Sequence, residues 1–520
     1  MRSWLILLAT ATTACHPDDK LDTAEPLAPA PWAGWTASWQ PCSLVEGADD
    51  GLAECSATPM PLFWEDPDDD RTIEIHAKRL PAQQPADRQL WLLDGGPGAS
   101  GLYDFPARMA YIQERYPSAE IYTLDHRGTG YSERLGCDAE GLTTPSGESI
   151  TSSEYPGCIA QIQDELGDRL EAYTSTLSSY DLAAYIEATR SAEAQVFAWG
   201  GSYGSYWAQR YLAVAPTQAD GVIIEGIAPT DTTLILSEPY TNLAAQELFS
   251  RCGQDEVCSG YLGDDPWASL GAALERMDKE DHCTSSGLSS SLVSSLLAYL
   301  MYSRSGMAVI PAAAYRLDRC SADDEAALVN LYYALFGDGG SWDIEAYSIL
   351  LQHHVMFSEM WAHPDFEGVD LDAWYDDLYD EALVVKGYGH SKLEIYEQWP
   401  LYQDASWDDR WAQTETPMLM LQGELDPVTP HALAQGVTEH FDGAHQHWVS
   451  FEHSAHSTSF DTPVVSDDSE EPCGFQLVLG FMADPTAALD RACVERTLPI
   501  DFDPGQFYAE HYFGTEGLWD

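Results

Sequence analysis

Three residues far apart in the chain are of the types an acyl-transfer reaction needs. Ser202 lies in Trp199-Gly200-Gly201-Ser202-Tyr203-Gly204, which contains G-x-S-x-G. Asp426 lies in Gly423-Glu424-Leu425-Asp426-Pro427, and His456 in Glu452-His453-Ser454-Ala455-His456-Ser457. A serine hydroxyl is a poor nucleophile until an imidazole takes its proton. A buried carboxylate then fixes the imidazole tautomer and stabilises the imidazolium. Each residue also has a plainer reading. Ser202 could be incidental in a Gly-rich turn, since short motifs occur by chance. Asp426 could cap a turn before Pro427, with Glu424 the fallback carboxylate. His453 competes with His456, which follows the small Ala455 and can therefore approach the site closely.

Acyl transfer also needs two backbone donors for the oxyanion, each worth roughly a hundredfold or more in rate. Gly95-Gly96-Pro97-Gly98 follows an apolar run and offers one. The donors expected are the N–H groups of Gly96 and of Tyr203, the residue after the nucleophile. No cofactor or metal is expected. H-E-x-x-H is absent, and His353 and His354 are adjacent in a helix-like run and so point in different directions. His445 and His447 read as surface or strand residues.

Short apolar runs must position these loops. Strand-like segments are expected at Thr72–Leu80, Gln89–Leu93, Glu120–Leu124, Gln195–Trp199, Gly221–Ile224, Pro417–Gln422 and His447–Phe451. A helix-like run, Ser205–Val214, follows the serine turn. Leu177–Ser191 reads as an amphipathic helix with Leu182, Tyr185 and Ile186 on one face. Buried strands alternating with helices predict an α/β fold, with a mostly parallel sheet covered by helices on both faces. The alternation fails over Asp231–Pro400, which is helix-rich and reads as an inserted helical lid domain. The expected organisation is a signal peptide (1–14), a disordered tether (15–35), the first part of the core (36–230), the lid (231–400) and the second part of the core (401–520). In an open parallel sheet, chemistry sits at the carboxyl ends of the strands, where all these loops lie. The order Ser, Asp, His is that of an α/β-hydrolase.

Taken together, the motifs resemble those of the α/β-hydrolase exopeptidases: the prolyl aminopeptidases and, more closely, the secreted tripeptidyl aminopeptidases. Gly95–Gly98 is similar to their G-G-P-G turn. Asp125-His126-Arg127-Gly128-Thr129-Gly130-Tyr131-Ser132 is similar to their D-x-R-G-x-G-x-S loop, and Gly423–Pro430 to their acid loop. Cys42 and Cys55 suggest the N-terminal cysteine pair of the tripeptidyl branch, and Cys473–Cys493 its C-terminal segment. The likeness covers both parts of the core and skips the lid. Asp94 stands where prolyl aminopeptidases carry His, which favours the tripeptidyl branch. Ala455-His456 stands where Gly-His is usual. The resemblance implies removal of residues or short peptides from substrate N-termini. The alternatives are an esterase or lipase-like enzyme, and a non-catalytic binding protein on the same scaffold. An exopeptidase must recognise a free α-amine with a carboxylate. The lid and Glu225 are the candidates, with a solvated or capping role as the alternative for Glu225.

Composition narrows the setting. The chain has 520 residues and a net charge of −61, from 85 acidic against 24 basic residues. A phosphate backbone would be repelled, which excludes a general nucleic-acid binder. The expected partner is a peptide or a small amide or ester; oligomeric state is not readable. Arg2, the short apolar run Trp4–Ala11 and the small residues before Cys15 read as an export signal, with Cys15 a lipidation candidate. No later run is long and apolar enough to span a membrane. The chain is therefore expected to be exported: periplasmic, a surface or outer-membrane lipoprotein, or secreted. Beyond Cys15 there are ten cysteines, an even number suited to an oxidising compartment. They fall in near-neighbour pairs: Cys42 with Cys55, Cys137 with Cys158, Cys252 with Cys258, Cys283 with Cys320, and Cys473 with Cys493. Sequential disulfides are the expectation, although spacing alone proves no connectivity. Free buried thiols are one alternative; metal binding is another, without a C-x-x-C pair to support it.

Overall fold

Nine strands line up as one sheet, the inner ones short runs of mostly aliphatic, aromatic and β-branched residues. The computed structural model describes residues 30–140, 150–285, 287–337, 345–361, 368–404, 410–465 and 469–520. The strands are β1 (Gln40–Cys42), β2 (Ala53–Pro61), β3 (Thr72–Leu80), β4 (Arg88–Leu93), β5 (Ala119–Leu124), β6 (Gln195–Gly201), β7 (Gly221–Glu225), β8 (Met418–Gly423) and β9 (Gln446–Phe451). Their order is β1-β2-β3-β5-β4-β6-β7-β8-β9. β1, β2 and β3 pair antiparallel, as does β3 with β5; every other pairing is parallel. This is the α/β-hydrolase fold.

The inner strands are apolar on both faces because helices cover both. Trp91, Ala198, Val222, Ile224, Met418 and Met420 belong to one core with the helices Ser175–Thr189 and Tyr203–Val214. Leu90, Leu92, Phe197, Trp199, Ile223 and Leu419 belong to the other with Pro106–Arg115 and Cys473–Ala483. Adjacent strand residues thus alternate between two cores, as the two-residue period of a strand requires.

Between β7 and β8 the chain leaves the sheet for a helical insertion, including Ser237–Gln254, Pro266–Glu280, Ser290–Leu300, Arg304–Arg319 and Ala322–Phe336. It has a core of its own, with Leu248, Phe249, Leu270, Ile310, Leu317 and Leu328. Phe502, Phe513 and Trp519 join that core. The last part of the chain therefore packs on the insertion rather than extending the sheet. Arg316 ties it down, donating from Nη1 to Asp520 O at 2.6 Å and from Nη2 to Leu518 O at 3.0 Å.

All five sequential cysteine pairs are bonded. Cys42 joins Cys55 with Cα atoms 5.8 Å apart, Cys137 joins Cys158 at 5.3 Å, and Cys252 joins Cys258 at 5.2 Å. Cys283 joins Cys320 at 5.5 Å, and Cys473 joins Cys493 at 5.4 Å. These cysteines are structural links rather than parts of a reactive site. Cys158 is buried in the core that holds Trp91, and Cys258 in the core of the insertion. Neither Cys158 nor Cys258 keeps a thiol for catalysis or for a metal, because each sulfur is spent on its partner.

Other departures from the sequence reading have local causes. β2 escapes that reading because it carries Pro59 and Pro61. β1 pairs only with residues 53–55, so the rest of β2 is an edge, where proline is tolerated. The helix Ser175–Thr189 is buried on all sides from Ser175 to Ile186, not amphipathic. The segment that reads as a tether is packed at its end: Trp32 is buried and meets Tyr180 edge-on, ring centroids 5.6 Å apart. The signal peptide (1–14), Cys15 and the tether up to residue 29 lie outside the described residues. Among the described residues no helix is long and apolar enough to cross a membrane.

Candidate active site

β6 ends in two glycines, and the chain then turns sharply into the helix Tyr203–Val214. Ser202, at the turn, has φ +56° and ψ −129°, a conformation that costs a non-glycine residue energy. The neighbours hold it there. Ser202 N donates to Glu225 O at 3.0 Å, and Ser202 O accepts from Ser205 N at 2.9 Å and Ser205 Oγ at 2.6 Å. The flanking glycines permit the close approach. A Cβ at Gly204 would lie 2.2 Å from Leu93 O, and one at Gly200 would lie 2.0 Å from Gly204 O.

The Gly95–Gly98 turn lies against this serine: a Cβ on Gly95 would be 3.2 Å from Ser202 Cβ. Gly96 has φ +106°. Tyr203 opens the helix, so its N–H has no intrahelical acceptor. Its ring points elsewhere, with Oη 2.6 Å from Ser175 Oγ and 2.9 Å from His126 Nε2. A segment of the insertion braces the turn. Ser100 N donates to Ala346 O at 3.0 Å, Ser348 N to Gly98 O at 2.8 Å, and Tyr347 Oη to Pro97 O at 3.0 Å. Nothing in the sequence marks Ala346–Ser348, because its pairing with the turn is a contact between distant segments. Asp94, just before the turn, accepts from Gly95 N at 2.7 Å through Oδ1, while its buried Oδ2 has no partner. Burial, reinforced by the Asp104 charge, pushes the Asp94 carboxyl up to about 7.

β8 and β9 are adjacent, and the loops at their carboxyl ends bring Asp426 and His456 together. His456 Nδ1 lies 2.8 Å from Asp426 Oδ2. Asp426 is buried and its carboxylate is well supplied. Oδ1 accepts from Val428 N (2.8 Å) and Thr429 N (3.0 Å); Oδ2 also accepts from Thr429 Oγ1 (2.7 Å) and Gln422 Nε2 (3.2 Å). Burial alone would raise the Asp426 pKa, but the His456 charge and these bonds hold it below the usual carboxylate range. For His456 burial disfavours the charged form, and the Asp426 carboxylate outweighs it, so its pKa is raised. Glu424, the fallback carboxylate, is exposed and takes a bond from Ser450 Oγ. His453 has Arg251 Nη1 3.2 Å from its Nδ1, and burial with that cation lowers its pKa.

β7 links the serine turn to the histidine loop. Glu225 O receives Ser202 N, and the next residue, Gly226, lies beside His456 with φ +50°. A Cβ there would come within 2.9 Å of His456 Nδ1. Glu225 is only 3% exposed, with both carboxylate oxygens taken. Oε1 accepts from Trp199 Nε1 at 3.1 Å; Oε2 accepts from Ser459 N at 2.8 Å and Ser459 Oγ at 2.6 Å. It braces the loop three residues beyond His456, and its charge adds to the rise in the histidine pKa. These bonds make the carboxylate a brace of the histidine loop, beside the amine-binding role expected from the sequence.

Residues 384–493 match the family described as "Abhydrolase_4: TAP-like protein". That segment contains Asp426, His456 and the last disulfide. No curated protein matches the chain. Among solved structures it is similar to MGS-M2, an alpha/beta hydrolase enzyme from a Medee basin deep-sea metagenome library, at 12% identity and TM-score 0.33, covering 80% of this chain and 96% of that one. It is also similar to acetyl xylan esterase 1 from Thermoanaerobacterium sp. JW/SL YS485, at 13% identity and TM-score 0.34, covering 87% and 89%. A third is epoxide hydrolase VrEH1 from Vigna radiata, at 12% identity and TM-score 0.29, covering 77% and 92%.

Proposed function

We propose that this protein is an exported serine hydrolase, an aminopeptidase that releases residues or short peptides from substrate N-termini. The observation that carries the reading is the 2.8 Å contact between His456 Nδ1 and Asp426 Oδ2, on the loop that packs against Gly226 beside the strained Ser202 turn. Ser202 Oγ attacks the carbonyl carbon as His456 Nε2 takes its proton. Asp426 keeps the other ring nitrogen protonated and steadies the imidazolium. The N–H groups of Gly96 and Tyr203 receive the oxyanion. The imidazolium protonates the leaving amine, and water then hydrolyses the acyl-enzyme by the same route. Five disulfides support export to an oxidising compartment. Signal cleavage after residue 14, lipidation of Cys15 and a lid role for the insertion belong to the same proposal.

Ser202→Ala should lose fluorophosphonate labelling and turnover, by roughly 10⁴-fold or more, while unfolding at the wild-type temperature. Activity retained in this variant would refute the assignment. An esterase is the second reading, favoured by the commitment of both Glu225 oxygens. Aminoacyl and tripeptidyl amides assayed beside matched N-acetylated amides and simple esters separate the two: an aminopeptidase loses its substrates on acetylation.

A further inference from the structure

The insertion places one half-buried ammonium group, that of Lys386, beside the candidate triad, with a second, that of Lys392, near it. Lys386 and Lys392 are two of only five lysines in the sequence, in a chain with 85 acidic residues. Lys386 Nζ donates to Tyr302 Oη. The Tyr302 ring meets the His456 imidazole edge-on, centroids 6.3 Å apart. Lys386 also lies 5.5 Å from the ring centre of Tyr299. Lys392 Nζ lies 5.7 Å from the ring of Trp361 and 5.9 Å from that of Tyr388.

Aromatic faces stabilise a cation only modestly. A buried charge ordinarily has a counterion as well. Among the described residues, neither lysine forms an ion pair. The two carboxylates whose charges most favour the Lys386 ammonium, those of Glu238 and Asp426, are engaged elsewhere. Glu238 accepts from Tyr379 Oη at 2.6 Å and from Tyr388 N at 3.0 Å. Glu275 is paired with Lys279, and Asp426 with His456. The cost of this arrangement is visible in Lys386, which burial, aided by the Lys392 charge, pushes down to about 7. Lys392 is lowered by burial too. Lys386 is half-buried, with Tyr302 and His456 on one side and, on the other, an 820 Å³ groove of the insertion that also carries Glu275, Asp278 and Asp380.

We infer that Lys386, presented by Tyr302 beside His456 and supported by Lys392, receives a carboxylate of the substrate, so that the enzyme prefers acyl substrates bearing an acidic group next to the scissile bond. This rests on the hydrolase reading and deepens it. The carboxylate supplies the missing counterion, and a neutral substrate leaves the ammonium groups as they are.

The test uses matched peptidyl amides with Glu or Gln on either side of the scissile bond, assayed with the full-length protein. Wild type should favour the Glu member of one pair by about tenfold or more in kcat/KM, as expected of a charge-assisted contact. Lys386→Met should abolish that ratio, and Lys386→Arg should restore much of it. A purely structural role would lower both members of the pair together and leave the ratio unchanged. Absence of a Glu preference in wild type, or its survival in Lys386→Met, overturns the proposal. Fluorophosphonate labelling separates the two readings. Unlabelled Ser202 sinks the hydrolase reading and this one with it; labelled Ser202 without a Glu preference sinks this one alone.

Discussion

Arg127 is a fully buried cation and Lys386 a half-buried one, and the two parts of the molecule treat them in opposite ways. In the sheet domain, Arg127 is fully enclosed with Asp181. It donates from Nε to Asp181 Oδ2 at 2.6 Å and from Nη2 to Asp181 Oδ1 at 2.8 Å, and its remaining donors reach Pro61 O, Leu62 O and Ala172 O. In the insertion, Lys386 has one tyrosine hydroxyl and aromatic faces. The carboxylates repeat the contrast. Asp426 receives five hydrogen bonds; Asp94 receives one, and its second oxygen has none. A buried charge completed by its own chain has a fixed position, which suits a structural or orienting part. One left short has a free energy that a ligand or a proton can still change.

The sharpest way to break this comparison is at Asp426. Asp426→Asn should lower kcat by about 10⁴-fold, because the imidazole loses the group that sets its tautomer. It should also shift what activity remains. With the carboxylate present, the His456 pKa is raised, so the acid limb of kcat/KM should lie above that of an ordinary histidine. Without it burial dominates, the pKa falls, and the limb moves to lower pH. A limb that stays in place would show that Asp426 does not govern His456.

Arg127→Met comes next, in stability rather than rate. It strands Asp181 without a counterion, and the cost should be about 3–5 kcal/mol in denaturant unfolding. Lys386→Met removes a charge with no partner and should change stability by no more than about 1 kcal/mol in either direction. Equal losses in the two variants would erase the distinction between completed and uncompleted cations.

Glu225→Gln tests a completed anion that touches no reacting atom. The glutamine Nε2 would face the Trp199 N–H donor to donor, loosening the loop that carries Ser459 and His456. A loss of roughly tenfold in kcat is expected, with little change in KM, and the acid limb should move slightly to lower pH as one negative charge leaves. An unchanged pH profile would make the residue merely structural.

The smallest effect is expected at Asp94. Its carboxyl, pushed up to about 7 by burial and the Asp104 charge, loses its proton as the pH rises through neutrality. The new negative charge would stand beside the turn proposed to receive the oxyanion, with Arg108 partly offsetting it and Asp125 adding to it. Wild-type kcat should therefore sag a few-fold above about pH 7, an effect of about 1 kcal/mol. Asp94→Asn should hold a flat rate there and match wild type at pH 6. The same sag in both proteins would exclude Asp94 as its source.

The parts of this molecule readable in the sequence are those whose signals are local. Ser202 is marked by glycines that its own turn requires, and the strands around it by short apolar runs. Asp426 and His456 are readable as loop residues after two such runs, with Glu424 and His453 as rivals. Local pattern does not say which residue on a loop points inward; the adjacency of β8 and β9 brings one of each pair together. β2 is hidden because its prolines argue against a strand, and only its position as an edge makes them tolerable.

The sequence by itself determined the parallel sheet, the serine turn, the candidate residues and the spacing of the cysteine pairs, because each depends on the periodicity or chemistry of neighbouring residues. Tertiary structure alone decided that both oxygens of Glu225 are spent on Trp199 and Ser459, that Ala346–Ser348 braces the Gly95–Gly98 turn, and that Lys386 reaches Tyr302 beside His456. Those contacts join residues from 26 to 250 positions apart in the sequence, for reasons no local pattern records: whether a buried polar group is satisfied depends on what the rest of the fold brings to it.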